Sequence, residues 1–375
     1  MAANNQQVSN GPQFPLLKFT SENRKKVISC MNPLEIVEYS FSSKAAALAV
    51  KDARIHVDLM EIYLYGVSPH YDEPDNDQGI ELTFAGCEKS VLFWFAHPEN
   101  LLHDDREQWH NKTTIDGEVL EKCFHESWRT RKVDFVTGCS IEPDQMVPYL
   151  KMIENHFREI FIIKKTDIDL NGLEITDYME YLDVTNPKIF HKLRINSDYE
   201  PEHASVIVSA LRPSYFFMDI LCWSTRPSPL KIVADRVQFG RQLESAYLFA
   251  VKAKRITFRF KSAEEFKLFV QKWLTDKELL CRDELELLKA YVPLPVNRND
   301  LLREFDPVAF DRSRRPASLK HQMNDDDDEE VELDLRHDVD LIRDDGRVAT
   351  THFENYTADG DRYMIIWFSA WPKTD

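Results

Sequence analysis

The sequence predicts a mixed α/β fold: an N-terminal helical block, an antiparallel β meander, a long run of alternating helices and strands, and a C-terminal β-hairpin. Three observations predict it. Apolar residues recur at three and four over residues 15–51, the spacing of short amphipathic helices. Over 53–96 they alternate or form short unbroken runs, as in strands. From about residue 117 the two patterns take turns, as where helices join neighbouring strands. With 375 residues, 43% hydrophobic and 11% aromatic, the chain can bury the cores of two or three domains.

Residues 1–14 are polar and read as a disordered N-terminus. In the helical block, 15–52, Asn32-Pro33-Leu34-Glu35 is a strong helix start. Asn32 can cap, Pro33 suits the first helical position, and Glu35 stands three after the cap. Val27, Ile28 and Met31 repeat before it; Leu34, Val37 and Phe41 repeat after it. A third short helix is expected over Lys44–Val50, capped by Ser42 or Ser43. In the β-rich segment, 53–116, strands are expected at Ile55–Tyr65, Ile80–Phe84 and Val91–Phe95.

Over 117–300 helices are expected at Gly117–Arg131, Pro143–Phe157, Ile175–Leu182, Glu202–Leu211 and Ala263–Leu274. Strands are expected at Glu159–Ile163, Lys192–Ile195, Phe216–Cys222 and Arg255–Phe260. The irregular spacing of those strands resembles degenerate leucine-rich-repeat units. Phe266, Phe269, Val270 and Trp273 read as the core face of the Ala263–Leu274 helix. Residues 301–345 read as an acidic linker or loop, and 346–375 as a hairpin of Val348–Phe353 and Tyr363–Phe368 turning at Thr357–Gly360.

Composition excludes several function classes. The ten glycines form no G-x-G, no phosphate-cradling loop and no nucleophile elbow, which disfavours glycine-loop nucleotide enzymes and α/β-hydrolases. The net charge is −17, of which −10 falls within 321–345; nucleic acid and anionic membrane are poor partners for such a chain. The six cysteines form no C-x-x-C pair, and no long apolar run or signal core is present. A reducing cytosolic or nuclear setting is therefore expected. Asp167-x-Asp169-x-Asn171-Gly172 opens like a calcium loop but has Tyr178 where a bidentate Glu belongs, so a polar turn is expected. His97, His103, His110 and His125 beside Cys87 and Cys123 lack the spacing of a zinc site. Cys123 and His125 would point to different faces of a helix, and Asp104 and Asp105 read as solvated. No catalytic residue, metal or cofactor is expected.

The N-terminal block is the specific signal. Phe19-Thr20-Ser21-Glu22, then Val27-Ile28, Met31-Asn32-Pro33-Leu34-Glu35, Ile36-Val37, Phe41 and Ser43-Lys44 follow the spacing of an F-box. Phe14–Lys18 before it and Cys30–Ile36 within it resemble the nematode F-box proteins. Lys254-Arg255-Ile256, Ser262–Phe266 and Phe269–Leu274 are similar to the type-2 F-box-associated domain, whose core would span about 205–287. Ile342–Thr350 and Met364–Trp367 resemble the family's C-terminal hairpin.

That resemblance implies a substrate-recognition subunit of a Skp adaptor–cullin–F-box ubiquitin ligase, without catalytic chemistry of its own. The F-box would dock a Skp-type adaptor, and through it a cullin, using Val27, Ile28, Met31, Pro33, Leu34, Ile36, Val37 and Phe41; some of these must instead tie the helices together. The remainder would hold an unidentified protein substrate, with the loop Ser68–Gly79 and the run 325–330 as candidate recognition loops. The alternative is a protein-interaction module with a degenerate F-box, suggested by polar Asn23-Arg24-Lys25.

Overall fold

The computed structural model describes residues 16–65, 78–87, 90–96, 112–115, 118–123, 133–140, 146–171, 191–196, 214–218, 232–322, 330–358 and 361–372. The chain divides into two units, Met1–Tyr63 with Pro69–Thr166, and Leu64–Ser68 with Asp167–Asp375. Helices come first and strands follow, in a mixed α/β fold.

Unit one opens with α1 (Ser21–Ser29), α2 (Pro33–Ser42) and α3 (Lys44–Ala53). Six strands follow: β1 (His56–Tyr65), β2 (Gln78–Phe84), β3 (Ser90–Ala96), β4 (Lys112–Ile115), β5 (Glu118–Cys123) and β6 (Val133–Ser140). Helix α4 (Met146–Ile160) leads into β7 (Ile162–Asn171). Strand β2 pairs antiparallel with β3, setting Ile80 opposite Phe93 and Leu82 opposite Val91, as a meander requires. β3 also pairs in parallel with β6.

The helix expected over Gly117–Arg131 is corrected: Glu118–Cys123 is the strand β5. Glu, Leu and Lys favour a helix, but pairing with the β-branched β4, Thr114 opposite Val119, decides otherwise. The rest of that span lies outside the described residues, as do the helices expected at Ile175–Leu182 and Glu202–Leu211. The strand expected at Glu159–Ile163 starts later, because α4 runs on to Ile160. The polar turn expected at Asp167–Asn171 is strand: Ile168 and Leu170 are buried, while Asp167 meets His191 at 3.1 Å and Asp169 meets Arg194 at 3.1 Å.

In unit two, the Asp167–Asn171 part of β7 is followed by β8 (Lys192–Asn196), β9 (Tyr215–Met218), β10 (Ile232–Val233), β11 (Arg236–Gln242), α5 (Ser245–Phe249), β12 (Val251–Lys252) and β13 (Arg255–Arg259). Then come α6 (Ala263–Thr275), β14 (Leu287–Pro293), α7 (Arg298–Leu302), β15 (Val308–Ala309), β16 (Ser318–Gln322), β17 (Glu330–Asp334), β18 (Val339–Ile342), β19 (Val348–Ala358) and β20 (Asp361–Ala370). Strands β7, β8, β9, β11, β13 and β14 lie side by side in parallel. β20 then joins β14 antiparallel, and β19 and β18 follow antiparallel.

Helix α6 forms as its sequence predicts. Ser262 caps it by accepting from the Glu265 amide, and Phe266, Phe269, Val270 and Trp273 are buried. Phe269 and Trp273 meet Phe368 edge-on, and Phe260 meets Phe266. Strand β13 buries Ile256 and Phe258 on that side and turns Arg255, Thr257 and Arg259 to the other.

Residues 301–345, where an acidic linker is expected, hold β15, β16, β17 and β18 among the described residues. Arginines make this possible. Arg315 pairs with buried Asp340, Arg298 with buried Asp338, and Arg343 with Asp345 and Asp283. Arg343 holds the Asp345 carboxyl well below the usual carboxylate range.

His352 extends this network: its Nδ1 lies 2.8 Å from Asp338 Oδ2 and its Nε2 3.4 Å from Glu354 Oε1. The bond to Asp338, then the charges of Asp338 and Glu354, raise the imidazole pKa above 6.5, against partial burial. A raised folded-state pKa gives stability that is full below the unfolded value and lost as pH rises through the folded value. We expect His352→Gln to lower Tm most at about pH 5, with the gap to wild type closing towards about pH 8. A gap that grew with pH would show that the imidazole acts there as a neutral group.

Candidate functional site

Each helix of the N-terminal block carries its own start signal. Thr20 caps α1 by accepting from the Asn23 amide at 3.4 Å. Asn32 and Glu35 close a reciprocal capping box on α2 at 2.9 Å in both directions, with Pro33 in the first turn. Ser43 ends α2 and caps α3, accepting from the Ala46 amide at 3.1 Å. Three helices thus fit into about 35 residues because polar caps satisfy their first amides.

The eight apolar residues singled out in the sequence fall into two sets. Ile28, Ile36, Val37 and Phe41 are buried, at most 4% exposed. They hold the block together and to the strands and α4 of unit one. Phe41 stacks on His156 at 4.5 Å and touches the rings of Phe93 and Phe157 at 5.4 and 5.7 Å. Val27, Met31, Pro33 and Leu34 are half-buried and keep apolar surface at the outside of α1 and α2. A partner can reach the second set without unfolding anything.

The structure adds apolar groups to the outside of the block: Leu48 is 57% exposed, Leu17 44% and Phe19 36%. Leu48 left a sequence signal. It stands off the Ala46, Ala49, Val50 spacing that α3 buries, and so is a large apolar residue on the wrong side of an alanine-rich helix.

Beside Leu48 lies a groove of roughly 280 Å³ between α2, α3 and α4, lined by Ser40, Phe41, Lys44, Leu48, His156 and Glu159 among others. Ser40 Oγ stands 3.0 Å from His156 Nε2 and donates to the Val37 carbonyl at 2.6 Å. Lys51 bridges to Glu159 at 3.3 Å. The Ser40–His156 contact is a structural tie. The hydroxyl serves the helix backbone, and the ring is stacked against Phe41. Nothing in the sequence spacing marks His156, because its partners are more than 100 residues away. On the same block, burial pushes the Tyr39 hydroxyl up, and the nearby Arg24 charge opposes that shift.

Among the described residues no group of three His, Cys, Asp or Glu is placed to hold a metal ion. His97, His103, His110, His125, Asp104 and Asp105 lie outside the described residues, as does nearly all of the Ser68–Gly79 loop and of the run 325–330. Cys123 is on a strand, not a helix. Burial pushes the Cys281 thiol up to about 12, which makes it a core hydrophobe and not a nucleophile. Among the described residues no helix is long and apolar enough to cross a membrane.

No family model matches the chain. No solved structure matches it. Two Caenorhabditis elegans proteins are similar to it over nearly its full length. The uncharacterized protein F59B2.8 is 21% identical over 386 residues, covering 96% of this chain and 79% of that protein. The uncharacterized protein F59B2.9 is 23% identical over 390 residues, with the same coverage of each.

Proposed function

We propose that the chain is a substrate receptor of a cullin-based ubiquitin ligase, with residues 15–52 as an F-box that docks a Skp-type adaptor. The observation that carries this reading is the block itself: three short capped helices whose inner apolar residues are spent on packing while Val27, Met31, Pro33 and Leu34 remain partly open. Leu17, Phe19 and Leu48 are further exposed apolar residues of the block. An apolar surface of this kind is what a helical partner covers. The row of parallel strands from β7 to β14 supports a leucine-rich-repeat-like remainder whose task is to hold the substrate.

Such a receptor needs no catalytic group. It holds the substrate beside a ubiquitin-loaded enzyme and raises the effective concentration of the reacting lysine. A second reading, an interaction module that no longer recruits a ligase, draws on α1: Lys25 and Lys26 are exposed, and Arg24 folds back towards the Phe19 carbonyl at 3.5 Å.

Co-purification of the full chain with a nematode Skp-type adaptor separates the two. The receptor reading expects a stable complex, and Leu34→Asp should weaken it by over about 2 kcal/mol, roughly thirtyfold. No complex with the wild-type chain would leave the interaction module. A complex indifferent to Leu34→Asp would place the adaptor elsewhere.

A further inference from the structure

The parallel sheet of unit two is covered by α6 on one side; the opposite side is polar, aromatic and basic. Strand burial alternates along β13 and β14, so Arg255, Thr257 and Arg259, then Leu287, Lys289 and Tyr291, share that second side. Register carries a row across it: Arg194, then through Phe217 to Gln238, Thr257, Lys289 and Trp367. The adjacent row runs from Lys192 through Tyr215 to Arg236 and Arg255. Six cations thus stand on that side, on β8, β11, β13 and β14, all half-exposed or exposed; Arg194 pairs with Asp169 at 3.1 Å, and Arg255 lies 4.0 Å from exposed Glu286.

The hairpin of β16 and β17 borders this surface. Leu333 and Leu335, with Leu319, pack on Trp367 and Ile365 and against Tyr291. Next to it, Arg259 lies 4.9 Å over the Tyr291 ring and 5.9 Å from that of Tyr363, and Lys289 lies 4.8 Å over Trp367. Among the described residues no carboxylate pairs with Arg259; rings hold it in place. A guanidinium stacked on a ring keeps its N–H edge for a carboxylate, which it can grip with two parallel bonds.

We propose that this surface, centred on Arg236, Arg255, Arg259 and Lys289 with Tyr291 and Tyr363 beside them, docks an acidic peptide segment of a partner protein. It rests on the receptor reading only in taking that partner to be the ubiquitination substrate. Charge complementarity selects the occupant, and the sign of the whole chain narrows it. A net charge of −17 repels a long polyanion, and Asp167 and Asp169 lie in the same two rows at the β7 end. A continuous phosphate track would meet those acids, whereas a peptide with spaced carboxylates need not.

The test is fluorescence anisotropy of a labelled Asp/Glu-rich peptide with the full chain, beside its Asn/Gln counterpart and a single-stranded RNA. Saturable binding of the acidic peptide alone is expected, weakening as salt rises. Arg259→Gln and Arg255→Gln should each raise Kd about tenfold with Tm nearly unchanged, since the Arg255–Glu286 contact at 4.0 Å is exposed. Absence of peptide binding, indifference to both substitutions, or preference for the RNA would overturn the proposal. So would binding that appears only after Asp325 to Asp328 are changed to Asn, since the chain's own acids would then be the occupant. Adaptor co-purification on the same samples reads the ligase assignment separately. A chain that binds adaptor but not peptide refutes only the surface, and the reverse refutes only the ligase.

Discussion

Replacing Arg315 by Leu should cost unit two about 3–5 kcal/mol, a fall in Tm on the order of 10 °C. The guanidinium is fully buried against an equally buried carboxylate: Nε donates to Asp340 Oδ1 at 2.7 Å. One terminal nitrogen donates to the Pro316 carbonyl and the other to that of Leu335, each at 3.0 Å, and Phe310 stacks on the group at 4.4 Å. One side chain therefore fastens two stretches of chain, 310–316 and that of Leu335, to β18. Asp340 accepts a second bond, from Thr350 Oγ1 at 2.9 Å, while its Oδ2 has no partner among the described residues. Taking Arg315 away leaves a carboxylate in a dry site with one hydroxyl for company, and the penalty is the desolvation of that charge. The double variant Arg315→Leu with Asp340→Leu should recover much of the loss, because an apolar pair has no charge to strand. Urea unfolding measures both. A double variant as unstable as the single one would show that the loss lies in the arginine's backbone bonds and not in the stranded charge.

The same pair explains where the sequence was legible and where it was not. Twelve acids within 25 residues read as a solvated linker, since like charges in sequence repel and compact poorly. In the fold Asp338, Asp340 and Asp345 each have an arginine, and Arg298 and Arg315 come from outside the acidic run. Charge counted along the chain cannot see a partner that arrives through the tertiary structure. Strand β5 was hidden for a related reason: its residues favour a helix locally, and β4 and β6 supply the bonds that overrule them. Signals that close within a few residues were readable. The capping box at Asn32–Glu35, the Ser262 cap with the aromatic face of α6 and the alternation of β13 formed as expected, and the C-terminal hairpin formed with Thr357 and Ala358, expected in its turn, paired in β19. In the N-terminal block, periodicity marked an apolar stripe but not its division. Which half faces inward depends on Phe93, His156 and Phe157, far along the chain.

That division gives the second large effect. Phe41→Ala should destabilise unit one by about 3–5 kcal/mol, since it removes a ring that is 4% exposed and leaves a cavity among aromatic neighbours. Phe93 and His156 would lose their contact with it, and the Phe84–Phe161–Phe157 chain of rings beyond would lose its end support. Leu34→Asp should do the opposite. Leu34 is half-buried at the start of α2, where an acid also suits the positive end of the helix, so folding should be nearly unchanged. In an adaptor pull-down the two variants can fail alike, so thermal melts are needed beside it. If the outer residues bind the adaptor, Leu34→Asp loses the complex with its melting temperature intact, and Phe41→Ala loses it only at temperatures where unit one melts. If instead Phe41→Ala stays folded and still fails to bind, the buried half of the stripe is the contact, and the helices must open to receive the adaptor.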